Sequence, residues 1–427
     1  MSYPGVFSKV SVAGDENPFG YRTCAIRPFR EITRLNRTNV HSTYMETIVI
    51  SPHMIDISDE RLAAIKAKVH AYDWGHLPDA GGWSAGVGID DLKRLIAYWR
   101  DIYDWRVVER RLNALPNFTI DIEGERLHFV HVKGNGSKPP ILLLHGWPGS
   151  YLEFERLIWP LAADGHDVVV PSLPGFAFSN PITGIIGPRR AAALMHSLMS
   201  RLFDRRRYIV QGGDWGAHIA SWMAHLQPDA LLGFHINMAY IFAEDAAPTT
   251  EEEEEWFARR NSNLDREGAY SQEQETRPQT LGVAMADSPV GAAAWIMEKF
   301  GMWADLPRTA DGTPDIWSKF SEEQLLTNIM LYVAPSAMVT ATWIYRGKRL
   351  EGSDHFPAGT RIRVPTGVAA FPDPVFLPPP RSLLEKTYDI VHWTDMESGG
   401  HFAALEEPDL MLADLRAFIA TVSGANS

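Results

Sequence analysis

The sequence predicts an α/β fold: a mostly parallel central sheet, a helical lid inserted after the sixth strand, and an N-terminal helical segment that wraps the lid. Three observations predict the core of this arrangement. Short apolar runs alternate with helical patterns between Phe118 and Asn237, as strands buried on both faces alternate with crossover helices. The small-residue stretch Gln211-Gly212-Gly213-Asp214-Trp215-Gly216 joins one such run to a helix. Strand character then stops over residues 240–345 and returns at Arg361.

The elements follow in order. Residues 1–44 are polar, lack a clear period and read as an N-terminal extension. Residues 45–115 read as a helical meander. Ser58 suits an N-cap ahead of Leu62, Ile65 and Val69, and Leu92, Leu95, Ile96 and Trp99 share one face of a second helix. Residues 116–239 read as the first part of the sheet domain. Phe118–Ile122 and Leu127–Val132 alternate about Gly124 as a hairpin, and Ile141–Leu144, Asp167–Pro171, Tyr208–Gln211 and Leu232–Asn237 follow as strands. Residues 240–345 hold helical patterns only and form the lid. Its acidic run Glu251–Glu255 reads as a solvated helix face. Residues 346–427 complete the sheet domain, with strands near 361–371 and 389–393 and a final helix over 405–422.

Composition excludes several classes of function. A net charge of −13, with no dominant basic patch, argues against a nucleic-acid partner. The single cysteine, Cys24, rules out an intrachain disulfide and a cysteine metal cage, and fits a reducing, cytoplasmic compartment. The histidines form no H-E-x-x-H pattern or tight cluster, so no metal and no cofactor is expected. No apolar run reaches the roughly 18 residues of a transmembrane helix. The oligomeric state stays open, with a homodimer compatible.

The chemistry centres on Asp214. A strand, a tight turn and a helix make a nucleophile elbow, where one side chain is pushed up at the carboxyl end of the sheet. Ser is the usual occupant. A carboxylate is already ionised at neutral pH and attacks an sp³ carbon to form an alkyl ester, which a second step must hydrolyse. The alternative is an Asp that only caps the following helix.

Hydrolysis of the ester needs a base and an acid to orient it. His401 follows Gly399 and Gly400 in the loop after the last strand and is read as the base; a solvated loop histidine is the alternative. Asp373, just after the preceding strand, is read as the acid, with Asp395 and Glu397 as rivals. In the loop His145-Gly146-Trp147-Pro148-Gly149-Ser150, the N–H of Trp147 joins that of Trp215 as a candidate oxyanion hole.

These motifs, with Gly400-His401-Phe402-Ala403-Ala404-Leu405-Glu406-Glu407-Pro408 near the end, resemble the epoxide hydrolases of the α/β-hydrolase fold. The likeness is to the microsomal and juvenile-hormone branch and its soluble microbial relatives, over about residues 50–425. Tyr72-Asp73-Trp74, Gly82-Trp83 and the lid stretch Asp287–Phe300 carry it further. The resemblance implies that two lid tyrosines, Tyr270 and Tyr345, hold the epoxide oxygen and protonate it. It implies an apolar epoxide and water as reactants, a vicinal diol as product, and a soluble enzyme. Trp215, Phe178, Trp343 and Phe376 are the expected pocket residues. The family's acid usually stands one residue after Asp373, where this chain has Pro374. A haloalkane dehalogenase and a non-catalytic binder of hydrophobic ligands are the competing readings.

Overall fold

The computed structural model describes residues 49–424, so the expected extension over 1–44 lies outside the described residues. A nine-stranded sheet runs through the rest. Its strands are β1 (Ile50–Pro52), β2 (Asn117–Ile122), β3 (Glu125–Val132), β4 (Ile141–Leu144), β5 (Val168–Pro171), β6 (Tyr208–Gly212), β7 (Leu231–Ile236), β8 (Ile362–Ala370) and β9 (Tyr388–Asp395). The spatial order is β1-β2-β3-β5-β4-β6-β7-β8-β9. The first three strands are antiparallel to their neighbours, and β4 through β9 run parallel to one another.

Local chemistry explains most of these elements. Glu123 and Gly124 both have positive φ, which is what a two-residue hairpin turn between β2 and β3 requires. Every residue of β4, β5 and β6 is buried. Helices on both faces of the sheet keep water off these runs, and each buried Leu or Ile contributes about 1.5–3 kcal/mol. The reading had no β1, because three residues are too few to show alternation. With it counted, the lid follows the seventh strand rather than the sixth. The last lid helix, Trp343–Glu351, also runs beyond residue 345.

The N-terminal helices lie on the lid. Ser58 caps the helix Asp59–Ala71 by accepting the Arg61 N–H at 3.2 Å. From that helix Lys68 pairs with Asp287 at 2.6 Å, and Arg61 donates to the Val333 carbonyl at 2.7 Å. Asp91 accepts from the indoles of Trp83 and Trp317, at 2.8 and 2.6 Å, tying meander to lid. A side chain at Gly301 would overlap the Trp83 ring, so that glycine permits the close approach. Among the described residues no helix is long and apolar enough to cross a membrane.

Candidate active site

Asp214 stands between β6 and the helix Trp215–Leu226, with φ +48° and ψ −124°. A non-glycine residue there costs about 1–3 kcal/mol and persists only where its surroundings hold it. Two glycines allow the turn. A Cβ at Gly216 would strike the Leu144 carbonyl, and one at Gly212 would strike the Gly216 backbone. A third, Gly146, leaves room for the Asp214 carboxylate itself. That carboxylate is buried, and its Oδ1 accepts the Trp147 N–H at 2.7 Å. Trp215 opens the helix, where first-turn N–H groups have no partner within the helix.

His401 approaches from the loop after β9. Gly399 takes φ +100°, and the His401 N–H donates to the Trp303 carbonyl at 3.1 Å, which pins the loop against the lid. The imidazole lies between two carboxylates. Its Nε2 is 3.5 Å from Asp214 Oδ2, and its Nδ1 is 2.9 Å from Asp373 Oδ2. The other Asp373 oxygen accepts the N–H groups of Val375 and Phe376, at 2.8 and 2.7 Å, which fixes the carboxylate plane. Of the rivals, Asp395 instead accepts from the Trp393 indole at 2.9 Å. Burial opposes charge on His401, but its hydrogen bonds to the two carboxylates, and their charges, outweigh it and push the imidazole up to about 10.

The tyrosines enter from two lid helices, Ala269–Thr276 and Trp343–Glu351. Their rings lie 5.8 Å apart at 82°. Trp147 stacks on Tyr270 at 5.3 Å and 10°, and Trp215 meets Tyr345 edge-on at 4.6 Å. Burial raises both phenols above their ordinary range, and the charge of Asp214 raises them further. The Lys299 ammonium, paired with Glu298, sits 4.6 Å over the Tyr270 ring.

A cavity of about 180 Å³ lies against the nucleophile and both phenols. Asp214, Trp215, Tyr270, Tyr345 and Phe376 line it. The other two expected pocket residues do not. Trp343 is two positions before Tyr345 on one helix, which turns it about 200° away. The Phe178 ring packs against His128 and His53, at 5.2 and 5.7 Å, beside the antiparallel edge of the sheet.

The sequence reading missed several supporting groups. Glu406 accepts the N–H groups of Asp305, Gly400 and Phe402, at 2.8, 2.9 and 2.8 Å, and so holds the His401 loop. Burial pushes its carboxyl up to about 7 against those bonds. The Glu153 carboxyl occupies the space left by the missing side chain of Gly149, and burial pushes it up to about 8. Trp303 packs on both Tyr270 and His401, at 5.0 and 4.8 Å. Trp303 is defined by what it meets across the fold, whereas Glu406 and Glu153 meet Gly400, Phe402 and Gly149 within six positions, through loop turns that no residue pattern marks.

Fold and site together define a hydrolase of the α/β-hydrolase fold whose elbow carries a carboxylate in place of a hydroxyl. A family model for the alpha/beta hydrolase fold matches residues 139–285, and one for the epoxide hydrolase N terminus matches residues 50–154. The chain is 34% identical to juvenile hormone epoxide hydrolase 2 of Ctenocephalides felis, over 85% of this chain and 84% of that protein. It is 34% identical to epoxide hydrolase 1 of Sus scrofa, over 87% and 88%. The crystal structure of juvenile hormone epoxide hydrolase from the silkworm Bombyx mori matches with a TM-score of 0.79 at 30% identity, covering 89% of this chain and 96% of that one. The chain belongs to the epoxide hydrolase family. It is a hydrolase acting on ether bonds.

Proposed function

We propose that the enzyme converts an epoxide, apolar where it meets Asp214, to a vicinal diol in two covalent steps. One observation carries this: the Asp214 carboxylate lies 3.5 Å from the His401 imidazole and lines a cavity that two phenols also line. Asp214 attacks a ring carbon, the C–O bond opens, and the alkoxide takes a proton from Tyr270 or Tyr345. An alkoxide needs such an acid and a departing halide does not, which favours this reading over dehalogenation. Charge left on Tyr270 is countered by Lys299 over its ring.

Ester formation removes the charge of Asp214. One of the two carboxylates that hold the proton on His401 is then gone, so its pKa falls and the proton passes to the tyrosinate. Neutral His401, oriented by Asp373, next takes a proton from water. The hydroxide adds to the ester carbonyl, and the oxyanion rests on the N–H groups of Trp147 and Trp215. Collapse hands the remaining water proton to the departing oxygen. The diol leaves, with Asp214 ionised and His401 charged again.

Oxygen bookkeeping tests the route. In a single turnover with excess enzyme in ¹⁸O-water, the first diol is expected to carry no heavy oxygen, which appears instead in the peptide holding Asp214. Heavy oxygen in that first diol would mean direct attack by water and sink the covalent scheme. The tyrosines have their own test. Each Tyr→Phe single variant should slow ester formation by about 10–100-fold, and Tyr270→Phe with Tyr345→Phe by about 10³-fold or more. Stopped-flow tryptophan fluorescence would follow it, and an unaffected double variant would remove the phenols from the mechanism.

A further inference from the structure

The cavity has two kinds of lining. Around Asp214 it is aromatic, but its other lining includes Arg260, Lys348 and Asp354. Lys348 is neutralised on two sides, by Glu275 at 2.6 Å and Asp354 at 2.8 Å. Arg260 is not. Among the described residues no carboxylate lies within 4.0 Å of its guanidinium. Its Nη1 reaches only the Asn261 amide oxygen at 3.3 Å, and its Nε is buried with no hydrogen-bond partner.

The guanidinium is nevertheless held in place. It lies 5.4 Å over the Tyr240 ring and 5.9 Å over the Trp256 ring. Both rings are tethered to one carbonyl, that of Leu377, by the Tyr240 hydroxyl at 3.2 Å and the Trp256 indole at 3.1 Å. Stacking on ring faces leaves the guanidinium edge, with its fork of N–H donors, for another group. Tyr240 in turn meets Phe376 at 5.8 Å, and Phe376 meets His401 at 5.1 Å. Arg260 is thus separated from the reacting groups by the width of two aromatic side chains. A partly desolvated, unpaired cation is unfavourable unless something completes it, and a protein of net charge −13 has carboxylates to spare for that purpose. None is supplied.

We propose that Arg260 binds an anionic group of the substrate: an epoxide bearing a carboxylate several methylenes from the ring. This deepens the epoxide hydrolase reading and rests on it. The planar fork of Arg suits a carboxylate in two-point contact, and the rings of Tyr240 and Phe376 suit the methylenes between.

The test is a matched substrate pair, a medium-chain ω-epoxy carboxylic acid and the corresponding ω-epoxy alcohol. Wild type should favour the acid in kcat/KM by about 10–100-fold, the range for a hydrogen bond to a charged group, with the difference carried by KM. In Arg260→Gln the acid-to-alcohol ratio should fall toward one, and Arg260→Lys should keep part of it. Using the ratio cancels any loss of folded enzyme. Equal kcat/KM values in wild type, or an undiminished ratio in Arg260→Gln, overturn the proposal alone. No diol from either substrate overturns instead the reading beneath it. Tryptophan quenching by the saturated acid of the same length then decides the anion site: saturable in wild type and lost in Arg260→Gln supports it, and no difference overturns it.

Discussion

Asp214→Ala is expected to lower diol formation by about 10⁴-fold or more, with the protein still folded, because no other group in the cavity stands where a nucleophile can form the ester. The same variant has a second readout. His401 owes its raised pKa to two carboxylates, at 3.5 and 2.9 Å. Removing the one at 214 leaves burial, which disfavours the imidazolium, opposed by Asp373 alone. The sign follows: the His401 pKa must fall from about 10 toward the ordinary imidazole range. Imidazole NMR across pH 6–10 checks this. Wild type should stay charged through most of the range, while the variant titrates lower. An unchanged titration would show that Asp214 does not hold the proton, and the proposed release of His401 on ester formation would fail with it.

His401→Gln is expected to stop the cycle halfway. Ester formation needs Asp214 and the phenols, whereas hydrolysis needs the imidazole. The variant should therefore consume about one equivalent of epoxide per enzyme and then stall, with steady-state turnover reduced by about 10³-fold or more. Intact-protein mass should rise by the mass of the epoxide, and the added group should map to Asp214. Sustained diol release at the wild-type rate would exclude His401 as the base. Absence of any adduct would place His401 before the covalent step instead of after it.

Much of the site was legible as text because its chemistry is bound to local geometry. An Asp between Gly212 and Gly216, after an apolar run and before a helix, can occupy little else than an elbow, since the close approaches that exclude a Cβ there are made within that turn and by the adjacent strand. His401 after two glycines and the cluster at 145–150 were readable for the same reason. The tyrosines were reached only through resemblance, because Ala269-Tyr270 and Ile344-Tyr345 look like ordinary helix positions.

By itself, then, the sequence determined the order of the strands from β2 onward, the carboxylate at the elbow and the family, all of which rest on residues adjacent in the chain or on motifs in fixed order. Only the tertiary structure decided that Asp373 rather than Asp395 meets the imidazole, that Trp343 and Phe178 turn away from the cavity, and that Glu406 holds the loop at 399–402. It also placed Arg260 in the cavity without a counter-charge. The Glu406 bonds to Gly400 and Phe402 span only six and four positions and follow from the path of that loop, while the other three share one physical reason. A side chain's direction and its partner are set by packing between segments far apart in the chain, and a one-position change on a helix swings a residue by about 100° without altering the local pattern.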